Sequence, residues 1–156
     1  MSTNLASHTL PSDLPSLPAD YTLLTTVPTP QTYMHLRSVT GMSPRSHAGA
    51  LVGLPNSLHA AQIQHIPSAA IVGMGRIIGD NGLFYQIVDI GVEPAHQGQG
   101  LAKAIMGELM RWIEATGKDG GYVSLIADGE AKRLYKIFGF EETAPASVGM
   151  YYRVRK

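Results

Sequence analysis

At 156 residues, with twelve basic and twelve acidic side chains and 44% apolar content, the chain is sized for one domain with a real core. Zero net charge gives no reason to expect nucleic acid or an anionic membrane as a partner. The absence of cysteine excludes disulfides, a thiol nucleophile and a cysteine-type zinc site, and the scattered histidines form no His-x-x-x-His pair, so no metal site is expected.

Residues 1–18 carry many Ser, Thr and Pro and lack a continuous apolar run. They are expected to form a mobile leader ahead of a single domain over 19–156. No apolar stretch approaches the roughly 20 residues of a membrane span, so a cytoplasmic location is expected. Tyr21 to Val27 is β-branched and apolar and predicts a first strand, closed by Pro28-Thr29-Pro30. A short helix starting near Thr32 would carry Tyr33, Leu36 and Arg37, and Gly41 to Pro44 would end it. Ser46 is placed to cap a second helix over His47 to Val52. Asn56 to Gln64 and Ala69 to Ile78 predict two strands joined by a hairpin loop. Gly79-Asp80-Asn81-Gly82 is a turn into a further strand, Leu83 to Val92.

The most informative segment follows that strand. Val92-Glu93-Pro94-Ala95-His96-Gln97-Gly98-Gln99-Gly100-Leu101-Ala102 reads as strand, glycine turn and helix start. Backbone N–H groups at such a start have no partner within the helix, and the helix dipole adds positive potential, so an anion site is expected. No Lys-Ser/Thr follows the glycines as in a P-loop, and the third glycine of a dinucleotide turn is missing. In the helix beyond, Met106, Leu109, Met110 and Ile113 recur at core spacing. Gly117 to Gly121 is a loop and Tyr122 to Ala127 a strand. Asp128 is placed to cap a helix running to Phe138. Phe140 to Thr143 and Gly149 to Val154 predict a closing strand pair. The order of elements gives an α/β class with a mixed, mostly antiparallel central sheet flanked by helices.

The spacing Gln97-x-x-Gly100-x-Ala102 resembles the acyl-CoA pyrophosphate loop of the GNAT N-acetyltransferases. Downstream, Asp128-x-x-Ala131-x-x-Leu134-Tyr135-x-x-x-Gly139-Phe140 is similar to that family's second signature, with Asp128 where the family usually has Asn. The likeness is closest from Ala69 to Phe140. It implies the GNAT acyl-CoA fold, acetyl-CoA as co-substrate and transfer of an acetyl group to an amine. By the resemblance, the N–H groups of Gly98, Gln99, Gly100, Leu101 and Ala102 would hold the pyrophosphate, with Gln97 adding an amide contact. Backbone groups of Ile90 and Val92 would pair with the pantetheine arm, and Asp128 is a further cofactor contact or a plain helix cap. Tyr135 would protonate the leaving thiolate.

The proton acceptor for the amine is less marked. Asp89 lies between Val88 and Ile90, and an acid in an apolar strand suits either a base of raised pKa or an anchor paired with Arg76. His96 beside the loop is expected to face solvent. Arg45 is a candidate for gripping an acceptor carboxylate or phosphate. Tyr33, Arg37 and Tyr85 are candidates for lining the acceptor cleft, with Phe84 in the core. The expected partner is a small-molecule amine, and a homodimer is compatible with the sequence. A protein or peptide acceptor, and a non-catalytic acyl-CoA-binding module, are the alternatives. The scarcity of acidic residues weighs against the first and the presence of Tyr135 against the second.

Overall fold

In this computed structural model, residues 10–156 are described. Five strands lie side by side in chain order: β1 (Tyr21–Leu24), β2 (His59–His65), β3 (Ala70–Gly79), β4 (Phe84–Val92) and β5 (Tyr122–Ser124). The first four form an antiparallel meander, and β5 joins β4 in parallel. The β3–β4 turn is held by Asp80, whose Oδ1 accepts from the N–H groups of Gly82, Leu83 and Phe84. Those donors, Phe84 foremost, hold its carboxyl below the ordinary carboxylate range.

Helix α3 (Leu101–Thr116) lies on one face of the sheet and buries Leu101, Ile105, Met106, Leu109, Met110 and Ile113 against β2, β3 and β4. Fully burying such a side chain contributes roughly 1.5–3 kcal/mol, so this stripe is a main source of cohesion. The opposite face carries α1 (Pro30–Val39) and α2 (His47–Gly53), which close a second cluster of Tyr33, Leu36, Ala50, Leu54 and Met74. A short helix, α4 (Lys132–Ile137), follows β5. Among the described residues, no helix is long and apolar enough to cross a membrane.

Several boundaries differ from the sequence reading, each for a local reason. Helix α1 starts at Pro30 rather than near Thr32, because Thr29 Oγ1 accepts from Thr32 N at 3.2 Å and proline suits a first turn. Ser46 caps α2 as expected, through Gly49 N at 3.0 Å. Strand β5 ends at Ser124, because beyond it the chain turns away from β4. The closing strand pair does not form: residues 138–156 contain no strand, and Met150, Tyr151, Tyr152 and Val154 stay exposed.

Of the expected leader, residues 1–9 lie outside the described residues. The rest is docked: Leu10, Leu14 and Leu17 pack against the α3 core, and Leu14 Cδ1 lies 2.7 Å from where a Cβ on Gly107 would stand.

Candidate active site

The glycine turn is built as its sequence implies. Gly98 and Gly100 both have φ of 78°, a left-handed conformation that costs an ordinary residue about 1–2 kcal/mol. Gly100 is the N-cap of α3 and offers no side chain to the helix start. The N–H of Ala104 is the first to bond into the helix, to Gly100 O at 3.0 Å. Among the described residues, the N–H groups of Gly98 through Lys103 meet no acceptor. A run of free donors at the positive end of a sixteen-residue helix fits a pyrophosphate.

Gln97 is used differently from the expectation. Its Nε2 donates to Val92 O at 3.0 Å, so the amide braces the loop against β4 rather than facing an anion, and it occupies the Val92 carbonyl assigned to the pantetheine. A further brace was invisible in the sequence. Tyr21 Oη lies 2.8 Å from His96 Nδ1 and accepts from Gln99 Nε2 at 2.9 Å, tying β1 to the loop. His96 therefore does not simply face solvent: its ring also lies 4.9 Å from that of His65. The side chain of Gln99 is spent on this contact, which leaves only its backbone N–H for a ligand.

Next to the loop the sheet opens. Strands β4 and β5 pair only over Phe84–Tyr122, Tyr85–Val123 and Gln86–Ser124. Among the described residues, no strand lies beside the edge of β4 away from β3 from Ile87 to Val92, which leaves backbone groups such as those of Ile90 available to an extended ligand. A bulge lies within that stretch. Met74 pairs with Gly91 and Arg76 with Val88, so Asp89 and Ile90 together oppose Gly75. Asp89 takes a φ of 62° there, a conformation that Asp tolerates better than most residues.

The bulge points the Asp89 carboxylate into a buried ionic cluster. Oδ1 accepts from Arg37 at 2.6 Å and from the Tyr33 hydroxyl at 3.3 Å, and Oδ2 accepts from Arg76 Nε at 2.7 Å. The three charged side chains are 6%, 7% and 11% exposed. Both oxygens are engaged by guanidinium groups, so neither is left facing an incoming amine. Of the two sequence readings of Asp89, the geometry supports the anchor and not the base. Arg37 extends the cluster by donating from Nε to Ser43 O at 2.7 Å, which suspends the loop between α1 and α2 from the bulge.

That loop, β4 and the segment after β5 enclose a cavity of about 600 Å³. Arg37, Arg45 and Met42 line one side, Gln86 to Ile90 the floor, and Asp128, Ala131 and Tyr135 the other side. Tyr135 is buried, and burial first and the Asp128 carboxylate second raise its phenol above the usual value. Asp128 does not cap α4 with its side chain; only its carbonyl bonds forward, to Ala131 N, through a turn of 3-10 helix. Its carboxylate is thus left to the cavity. Arg45 lines the rim, with Nη1 donating to Ser43 Oγ at 2.9 Å.

The tyrosines assigned to the acceptor cleft are elsewhere. Tyr33 is buried beneath the cavity, its ring under the guanidinium groups of Arg37 and Arg76 at 5.7 and 5.5 Å. Tyr85 is a core residue, edge-on to Trp112, while Phe84, expected in the core, is 62% exposed. The alternation along β4 decides this: the face that meets α3 receives Tyr85, and its neighbour must point out.

A sequence model described as an acetyltransferase (GNAT) domain matches residues 58–142, more than half of the chain. A crystal structure of a Staphylococcus aureus protein of unknown function, SA2161, described as a probable acetyltransferase, is 41% identical with a TM-score of 0.81. The match covers 86% of this chain and 99% of that one. A histone acetyltransferase, TAP1, from Glycine max is 32% identical over 100 residues, which are 62% of this chain and 42% of the relative. A chloroplastic serotonin N-acetyltransferase 2 from Oryza sativa is 36% identical over 54% of this chain and 42% of its own length. The chain thus spans less than half the length of these plant relatives.

Proposed function

The chain belongs to the GNAT acetyltransferase family, and we propose that within it this protein transfers an acetyl group from acetyl-CoA to the primary amine of a small molecule by direct attack. The observation that carries the reading is continuity. The open edge of β4 from Ile87 to Ile90 floors the cavity that Tyr135 lines, and the same strand leads directly into the loop with the free N–H groups of Gly98 to Lys103. The loop would bind the pyrophosphate, the open edge would align the pantetheine, and Tyr135 would donate its proton to the departing thiolate. A phenol kept protonated by burial suits a proton donor and not a base.

A cavity of about 600 Å³ lies within the range of small-molecule sites, roughly 300–1,000 Å³. Asp128 stands on one side and Arg45 on the other, so an amine that also carries a carboxylate or phosphate matches both walls. The neutral amine attacks the acetyl carbonyl, and the proton it sheds passes to water in the open mouth of the cavity. Asp89, bound by two arginines, shapes the site and takes no part in proton transfer.

The test is release of free CoA thiol across a panel of amines with and without an anionic group, together with basic peptides. The expected result is turnover of the anionic small amines. For these, Arg45→Gln should raise KM several-fold with kcat little changed, the mark of an interaction made equally in ground and transition states. Turnover of peptides alone would replace this reading with a protein acceptor. Acetyl-CoA binding with no turnover on any amine would replace it with a binding module.

The loop assignment has its own test. Gly100→Val places a β-branched residue in a left-handed conformation that costs at least about 1–2 kcal/mol. Either the turn moves or the donors diverge, so CoA affinity by calorimetric titration should fall at least about tenfold while the circular dichroism spectrum is retained. Unchanged affinity in a folded variant would remove the pyrophosphate from this loop.

A further inference from the structure

The turn that offers its N–H groups has little of its own to hold it. Gly98 and Gly100, both at φ 78°, stand on either side of Gln99. Glycine has the widest choice of backbone conformations, so a turn built on two of them is costly to order when a ligand arrives. Among the described residues, no backbone N–H from Gly98 to Lys103 is tied to an acceptor. Between Gln97 and Gly100 the turn is tied by one side chain. Gln99 Nε2 donates to Tyr21 Oη at 2.9 Å and, more weakly, to His96 O at 3.5 Å.

The acceptor of the stronger bond is rigidly placed. Tyr21 opens β1 opposite His65 of β2 and is buried in the α3 core. Its N–H donates to Pro18 O at 3.0 Å. Its ring stands between two imidazoles, 5.3 Å from that of His65 and 5.7 Å, edge-on, from that of His96. His65 is itself fixed, with Nδ1 2.8 Å from Ser68 Oγ. The Tyr21 hydroxyl has one proton and two partners. Gln99 brings a donor, so the proton goes to His96 Nδ1 at 2.8 Å, and the neutral imidazole carries its own proton on Nε2. A phenylalanine at 21 would keep the ring packing and lose both bonds.

On the reading that this turn takes the pyrophosphate of acetyl-CoA, we propose that Tyr21 is a positioning residue for the cofactor. Acting through Gln99, it holds the turn in the conformation that receives the diphosphate, and so sets the preference for CoA over ligands that lack one. A turn ordered before the ligand arrives spares the ligand that ordering cost. The pantetheine arm depends on a different part of the molecule. It would align on β4, whose backbone is held by its pairing with β3 and not by Tyr21. Gln99 is exposed, so without the Tyr21 hydroxyl its amide bonds water. The loss therefore falls on the ordering of the turn more than on the stability of the fold.

Titrations of the full chain with CoA and with pantetheine, which has no diphosphate, separate this role from a structural one. Wild type should bind CoA the more tightly. Tyr21→Phe should lower the ratio of the two affinities by about three- to tenfold, with the loss confined to CoA. Gln99→Met, which removes the amide from the exposed side of the turn, should give the same loss, and the double variant should lose no more than either alone. A fall in both affinities together would mean a general loosening of the fold and would overturn the proposal. A double-variant loss equal to the product of the single losses would overturn it too, because the two side chains would then act independently. A wild-type preference kept intact in Tyr21→Phe would overturn this proposal alone. Equal affinity of wild type for the two ligands would remove the pyrophosphate from the loop, and the proposal with it.

Discussion

Tyr135→Phe should slow turnover by about 10²–10⁴-fold and leave CoA affinity nearly unchanged. The substitution removes one hydroxyl and keeps the ring, which packs against Phe140 at 6.5 Å. Nothing else among the cavity-lining residues is a neutral donor of comparable acidity on the side where Asp128 and Ala131 stand. The sign of the pH dependence follows from the environment. Burial, then Asp128, raise the phenol above its ordinary value of 10.0, so the proton-donating form persists through neutral pH and is lost only above pH 10. The wild-type rate should therefore show no fall from Tyr135 ionisation below pH 10. Single-turnover rates as a function of pH, set beside CoA titrations of both proteins, check the two statements. A rate within a factor of about two of wild type would mean that water protonates the thiolate.

Asp89→Ala should destabilise the fold by about 3–5 kcal/mol, which for a domain of this size lowers Tm by on the order of 10 °C. The effect is large because the substitution leaves Arg37 and Arg76 buried, 7% and 11% exposed, with no anion between them. It also releases the loop that Arg37 suspends through Ser43 O. Asp89→Asn keeps the shape and one acceptor, so it should lie between wild type and Asp89→Ala in thermal melts. Its rate should fall by a constant factor at every pH, as expected of a residue that positions others. A loss confined to low pH and restored where free amine is plentiful would instead identify Asp89 as the base.

What the sequence determined by itself is what contiguous residues decide. The glycine turn, the helix that follows it and the core stripe from Leu101 to Ile113 need only local φ preferences and a 3.6-residue period. The structure has them where the sequence places them. The four-strand meander and the Ser46 cap are legible for the same reason. The family signatures carried the fold and the location of the groove, because they too are short runs.

What the tertiary structure decided are pairings between distant residues and the parity of strands. Asp89 finds Arg37 and Arg76 across 52 and 13 residues only because a bulge in β4 turns its carboxylate into their plane. No pattern in the sequence marks a bulge, and without it the acid reads equally as base or anchor. Tyr85 and Phe84 exchange their expected places because one residue of register decides which faces α3. Tyr21 reaches His96 and Gln99 from 75 and 78 residues away. The C-terminal segment is the limiting case. Its residues favour a strand, but a strand exists only where an edge pairs with it, and among the described residues 148–156 pair with none.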